Sequence, residues 1–253
     1  MRNEDPVPVP ELAVPVALPN KAFRLLSGPA APQKDRALGD LVLIAFFYLL
    51  RVGEYTTKKN AGTRRTQQFR LRDVRLWKNN TLIGDDAPLE EMLAAESGTL
   101  KLDNQKNGIR GALIHHTAVE GECCPVKALA RRVWHLRQNK VSKEELLCTF
   151  FDHLGKGSIR EDDVVKIVRV TAATLGLREQ GFPEERLGSH SLRAGGAMAL
   201  KLNGADRDII KKLGRWSSDT FLLYIHEQIG EVTKGWAQKM ATSIPFHNVE
   251  GGF

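Results

Sequence analysis

Six apolar residues, Leu38, Leu41, Val42, Ala45, Phe46 and Leu49, recur at three- and four-residue steps and lead to Arg51. That spacing predicts a helix from Lys34 onward with one face in a core. Arg51, with Gly53 and Glu54 beside it, ends the most apolar stretch of the chain abruptly. The run from Leu41 to Leu50 is ten residues, well short of the roughly 20 needed to cross a bilayer. No basic-then-apolar leader opens the sequence. Neither secretion nor a membrane span is expected, and an intracellular setting follows.

The period changes further along. Between Leu71 and Trp77, Val74 and Leu76 fall on one face and Arg75 and Trp77 on the other, as in a strand. Two alternating segments, Thr99 to Gln105 and Ile109 to His116, flank Lys106-Asn107-Gly108, and Asn-Gly between alternating runs is a strong hairpin signal. Helical spacing then returns. Pro125 opens a segment in which Val126, Leu129, Val133 and Leu136 share a face. Ser142 with Glu145 and Ser158 with Glu161 have capping-box spacing, the second leading into a helix that stops at Gly176. Ser191 to Leu202, Arg207 to Leu213 and the chain from Phe221 also read as helix. The fold class expected is α+β, mainly α-helical, with a small antiparallel β-sheet. Five of the eleven prolines lie in the first twenty residues, so residues 1–33 are expected to form an extended arm. Residues 34–244 would be the main domain and 245–253 a tail.

Charge and cysteines narrow the chemistry. A net charge of +7 over 253 residues suits a polyanionic partner, though a basic enzyme would also carry it. Two of the three cysteines, Cys123 and Cys124, are adjacent, so no disulfide framework is expected. His115 and His116 with Cys123 and Cys124 could be offered as a zinc site, but strand neighbours point to opposite faces. Gly155-Lys156-Gly157-Ser158 lacks the spacing of a phosphate-cradling loop. No metal and no nucleotide cofactor is expected.

The C-terminal third holds His190-Ser191-Leu192-Arg193, then Leu213-Gly214-Arg215-Trp216, then Tyr224. These are the residue types of a phosphate site. Arginine offers a planar fork to two oxygens, histidine moves or orients a proton, and tyrosine can attack phosphorus. One fork does not neutralise a phosphoryl group that gains charge during transfer, and Arg51 is the candidate for a second.

In this order the residues resemble the tyrosine recombinases, the phage-integrase-like site-specific recombinases. Arg51-Val52-Gly53-Glu54 matches the family's Arg-x-x-Glu box, Lys106 its hairpin lysine, and His190 and Arg193 its His-x-x-Arg box. Trp216 matches the His or Trp position and Tyr224 the nucleophile. The wording from Gly214 to Ile225 is most similar to recombinases of eukaryotic mobile elements of the Crypton and DIRS kind. The match runs from roughly Lys34 to beyond Tyr224, making 34–244 the catalytic domain.

The resemblance implies integration or excision of double-stranded DNA through a 3′-phosphotyrosyl intermediate, without metal or ATP, by a homo-tetramer on two DNA sites. It implies that Tyr224 attacks, Arg51 and Arg193 clamp the non-bridging oxygens, His190 assists proton transfer, Lys106 protonates the leaving 5′-oxygen, Trp216 bonds or packs at the phosphate, and Glu54 supports the site. Lys101 lies in the same hairpin as Lys106 and competes for its role. The family also implies an N-terminal clamp domain of roughly a hundred residues, where about thirty precede the first expected helix. An insertion is expected between Trp77 and Thr99. A type IB topoisomerase and a non-catalytic DNA-binding descendant are the alternatives.

Overall fold

The computed structural model describes residues 11–57, 67–102, 111–222, 238 and 241. Helix α2 (Gln33–Phe47) follows Pro32 and holds the centre of the molecule. The expected stripe is buried, but so are Gly39, Asp40, Leu43 and Ile44, so the helix is covered all round from Ala37 to Phe46. A helix packed on every side needs an answer for each polar group it carries. At Asp40 the answer is Arg131, whose Nε donates to Oδ1 at 2.7 Å.

One of the covering elements was expected to be extended. Within the arm assigned to residues 1–33, Ala17–Leu26 form helix α1 and bury Leu18, Ala22 and Phe23 against α2. The proline signal misleads because Pro19 stands in the first turn, where its missing N–H has no intrahelical partner to lose. Residues 11–14 carry no regular secondary structure, and Leu12, Ala13 and Val14 are buried.

After a one-turn helix α3 (Val52–Tyr55), the chain builds a four-stranded antiparallel sheet. Its strands are β1 (Val74–Lys78), β2 (Thr81–Leu82), β3 (Ser97–Leu102) and β4 (Ala112–Thr117), in the order β2-β1-β3-β4. The β3–β4 hairpin has the expected pairing, with Lys101 opposite Leu113 and Leu102 opposite Ala112. Lys106, expected at its turn, lies outside the described residues. The stretch between Trp77 and Thr99, where an insertion is expected, holds β2 and helix α4 (Leu89–Leu93).

Helix α5 (Pro125–Gln138) seals the core with Val126, Leu129, Val133 and Leu136. Ser142 and Glu145 do not start a helix. They form a turn, with the Glu145 backbone N–H donating to Ser142 O, and the Glu145 carboxylate accepts from Thr149 Oγ1 and Lys156 Nζ of a second hairpin. That hairpin, β5 (Thr149–Asp152) and β6 (Gly155–Ser158), absorbs the Gly-Lys-Gly-Ser segment. Helix α6 (Glu161–Thr174) is capped by Asp163 reaching back to the Arg160 N–H at 2.9 Å, not by Ser158 with Glu161.

Helices α7 (Ser191–Leu202) and α8 (Arg207–Gly214) sit close to their expected bounds. With Ala13, Leu49 and Phe221 they bury a second, smaller apolar cluster. The histidine–cysteine quartet is dispersed: His115 meets Thr99 Oγ1 at 2.9 Å, His116 stacks edge-on to Tyr48, and Cys124 is buried in the main core. No helix among the described residues is long and apolar enough to cross a membrane.

Candidate active site

The site is built where the C-terminal ends of two helices meet. Helix α2 stops through Leu49, whose φ is 48°, while the Leu50 N–H returns to Ala45 O at 2.9 Å. Helix α8 stops through Arg215, whose φ is 57°, while the Trp216 N–H returns to Lys211 O at 3.0 Å. Glycine commonly takes this left-handed position, and a side chain there costs about 1–2 kcal/mol. Two such residues in one place mark a geometry that the surroundings impose.

What they impose is an array of arginines. Arg193, 3% exposed, donates through Nη1 to the Leu49 carbonyl and through Nη2 to the Gly214 carbonyl. Its fork thus caps both helix ends, where the carbonyls carry partial negative charge. Arg215, 8% exposed, donates through Nη2 to the same Leu49 oxygen at 2.9 Å and to Glu54 Oε2 at 3.0 Å.

Arg51 stands at the start of α3, its backbone N–H donating to Glu54 Oε2 at 2.9 Å and its Nη1 to Glu54 Oε1 at 3.2 Å. Its Nη2 reaches the Arg215 carbonyl at 3.4 Å. Glu54 has no exposed surface. The expectation that it supports the site matches this geometry: one carboxylate anchors two guanidiniums from opposite ends of the sequence.

Helix α7 comes close enough for Arg193 to reach Leu49 because of Gly195 and Gly196. A Cβ at Gly195 would overlap the Val14 carbonyl oxygen, and one at Gly196 the Phe46 carbonyl oxygen. Gly214 serves the same end at α8, since a Cβ there would run into the Trp216 ring. Trp216 lies flat against Arg193, with Cζ 4.2 Å from the ring centroid, and packs on Phe221 at 5.6 Å. A guanidinium over an indole face is held by the ring quadrupole and by stacking.

His190 immediately precedes α7, one helical turn before Arg193, and its side chain is 50% exposed. Its Nδ1 lies 3.5 Å from Ser189 Oγ, which also donates to Glu161 Oε1 at 3.0 Å. The start of α7 is capped from the arm: Glu11 Oε2 accepts from the backbone N–H of His190 at 2.7 Å and of Ser191 at 3.1 Å. Glu11 Oε1 is 3.9 Å from His190 Nδ1.

Arg51, Glu54, Arg193 and Trp216 are therefore brought into one network, with His190 on the adjoining helix start. Lys106 and Tyr224 lie outside the described residues. Sequence reasoning missed Arg215 and Glu11. Arg215 had a signal, a charged residue directly after Gly214 at a helix end, whereas Glu11 had none inside its proline-rich surroundings.

The electrostatics suit an anion. Two guanidiniums, from Arg51 and Arg215, share the Glu54 carboxylate, and a third, from Arg193, is held by the Leu49 and Gly214 carbonyls, while Glu11 and Glu161 stand at the adjoining start of α7. Burial lowers the Arg215 guanidinium from the ordinary arginine range; Glu54 opposes that shift and the neighbouring Arg51 charge adds to it. The group stays protonated at neutral pH, so a bound anion would relieve the repulsion.

No protein-family profile matches the chain, and no curated protein matches it by sequence. Solved structures do resemble it. The XerH site-specific recombinase in a post-cleavage complex with its palindromic difH substrate superposes with a TM-score of 0.55 and 16% identity, over 90% of this chain and 54% of that one. The pre-cleavage complex of XerH gives 0.53 and 17%, over 89% and 54%. The XerA recombinase gives 0.51 and 15%, over 94% and 69%. The chain spans about half the length of XerH. At such identities the likeness is one of fold: the chain has the fold of the tyrosine recombinases, mainly helical with a small antiparallel sheet, as the order of its motifs led us to expect.

Proposed function

We propose that this chain is the strand-cleaving domain of a site-specific DNA recombinase or integrase, of the kind carried by mobile elements. The observation that carries the reading is the convergence of Arg51, Arg193 and Arg215 on Glu54 and the Leu49 carbonyl. A phosphodiester brings one negative charge and gains a second as its phosphorus becomes five-coordinate. Three guanidiniums fixed before the reaction suit that change, and preorganised charge of this kind is usually the largest single contribution to catalysis.

Tyr224 Oη attacks the scissile phosphorus, forming the phosphotyrosyl bond as the bond to the 5′-oxygen breaks. The phenolic proton leaves with assistance from His190, and Lys106 delivers a proton to the departing 5′-oxygen. Arg51 and Arg193 hold the non-bridging oxygens, each more needed for the chemical step than for DNA affinity, because the charge they meet develops in the transition state. The ester bond is exchanged and not hydrolysed, so a second 5′-hydroxyl can reverse the step on a new partner without a nucleotide. Four copies acting on two duplexes complete strand exchange, the basic surface holding flanking phosphates.

The test is covalent capture on a nicked duplex in which the released fragment diffuses away. The unsubstituted protein is expected to form a DNA adduct and Tyr224→Phe to bind without forming one. An adduct formed by Tyr224→Phe overturns the assignment, and steeply salt-dependent binding without any adduct by the unsubstituted protein would point to a DNA-binding descendant.

A further inference from the structure

Arg215 carries more hydrogen-bonding capacity than the fold uses. Its Nη2 serves Leu49 and Glu54, while Nε and Nη1 are buried with no acceptor among the described residues. Guanidinium donors shut away from water and left unpaired are among the least favourable groups a protein can bury. Here they belong to a residue in a left-handed conformation, beside a second guanidinium, that of Arg51. Apolar packing alone would be better served by almost any other side chain at this position.

Trp216, its neighbour, has a different occupation. Its ring lies against the Arg193 guanidinium on one side and packs on Phe221. A ring fixed in this way keeps Arg193 aimed between the Leu49 and Gly214 carbonyls.

We propose that Arg215 is a third phosphate-binding arginine of this site, its Nε and Nη1 donating to a non-bridging oxygen of the scissile phosphodiester, with Trp216 acting as the positioning residue for Arg193. This rests on the strand-transfer reading above. The partly exposed Arg51 side chain, which donates to the Arg215 carbonyl at 3.4 Å, moves onto the phosphate as DNA enters and lets the oxygen reach the donors behind it. The unmet donors of the DNA-free chain are then met by substrate, and the repulsion between Arg51 and Arg215 is spread over an anion.

The experiment separates contact with the phosphate from support of the fold. Adduct formation is measured on two nicked duplexes, one with an ordinary scissile phosphodiester and one with an uncharged methylphosphonate there, using the unsubstituted protein, Arg215→Ala and Arg215→Lys, with melting temperatures recorded for each. On the phosphodiester, Arg215→Ala is expected to lose roughly 10²–10³-fold in rate, the usual effect of removing one donor from a developing charge. The methylphosphonate carries no charge before attack and one negative charge fewer than the phosphodiester in the transition state, so there the loss should shrink to within about tenfold. Arg215→Lys, which keeps the charge without the fork, should fall between the two.

Equal losses on both duplexes, or no loss, would overturn the proposal and leave Arg215 a structural partner of Glu54. If Arg215→Ala fails to fold, the ratio between duplexes for Arg215→Lys decides the matter by the same criterion. An unsubstituted protein that forms no adduct with either duplex refutes the strand-transfer reading itself, an outcome distinct from failure of Arg215 alone.

Discussion

Replacing Glu54 by glutamine changes one atom and one charge at the most connected point of the site. The carboxylate is fully buried and lies 3.2 Å from Arg51 Nη1 and 3.0 Å from Arg215 Nη2. Opposite unit charges at such a distance attract by about 5 kcal/mol at an effective dielectric near 20. Desolvation of the three groups offsets much of this in the intact site, but deleting one member leaves the others buried without compensation, which typically costs about 3–5 kcal/mol. Glutamine retains one acceptor oxygen, so the lower end, about 3 kcal/mol, is expected.

For a chain of this size each kcal/mol lowers the melting temperature by about 2–4 °C, giving a fall of about 6–12 °C in Glu54→Gln. The assay is a thermal melt followed by near-UV circular dichroism at about 0.05 M and again at about 0.5 M salt, because a buried pair is screened far less than an exposed one. A fall under about 2 °C, or one that disappears at the higher salt, would refute the claim that Glu54 holds the buried Arg215 guanidinium together with the partly exposed one of Arg51.

Gly196→Ala should push α7 away from the Phe46 carbonyl and lower the urea midpoint by an amount equivalent to about 1–3 kcal/mol, and an unchanged midpoint would show that the close approach is unnecessary. Trp216→Phe keeps an aromatic face beneath Arg193 and should retain adduct formation within a few-fold, whereas Trp216→Leu should lose about tenfold; equal losses would favour a hydrogen bond from the indole N–H instead. Two buried groups should oppose one another in the acid stability profile. Burial raises the Asp40 carboxyl to about 6 against the pull of Arg131 and Arg132, so its contribution is full below about pH 4 and is lost as pH rises through 6. Burial, with Arg132 nearby, lowers His135 to about 4, so its contribution is present above pH 6.5 and is lost as pH falls through 4. Melting temperatures of Asp40→Asn should therefore rise steadily from pH 4 to 6.5 and those of His135→Gln should fall, and parallel profiles for the two variants would refute this assignment.

Where sequence reasoning succeeded, the determinants were local. The apolar steps of α2, the alternation of the strands β3 and β4 and the apolar face of α5 each express one element's own periodicity, and the structure follows them. It failed where a distant partner redirected a local signal. Ser142 and Glu145 have the spacing of a helix start, but Glu145 is taken by Thr149 and Lys156 of a hairpin that the sequence did not announce. The prolines around α1 read as an arm until Phe23 and Leu18 find the surface of α2. The same division runs through the site. Arg51 with Glu54 and His190 with Arg193 are short-range pairs visible as motifs, whereas the partnership of Arg215 with Glu54 spans 161 positions.

Leu49 contributes to this site an oxygen and not a side chain. Because Arg193 Nη1 and Arg215 Nη2 both donate to it, those two nitrogens cannot stand more than about two hydrogen-bond lengths, roughly 6 Å, apart. The carbonyl is thus a gauge that sets the spacing of two guanidiniums, and it is written in a backbone angle. The angle and not the side chain sets it, so glycine or asparagine at position 49 should keep the spacing of the two guanidiniums while losing the packing that Leu49 gives the second apolar cluster. A β-branched residue, which resists positive φ, would leave every charged group in place and still put the gauge out of true.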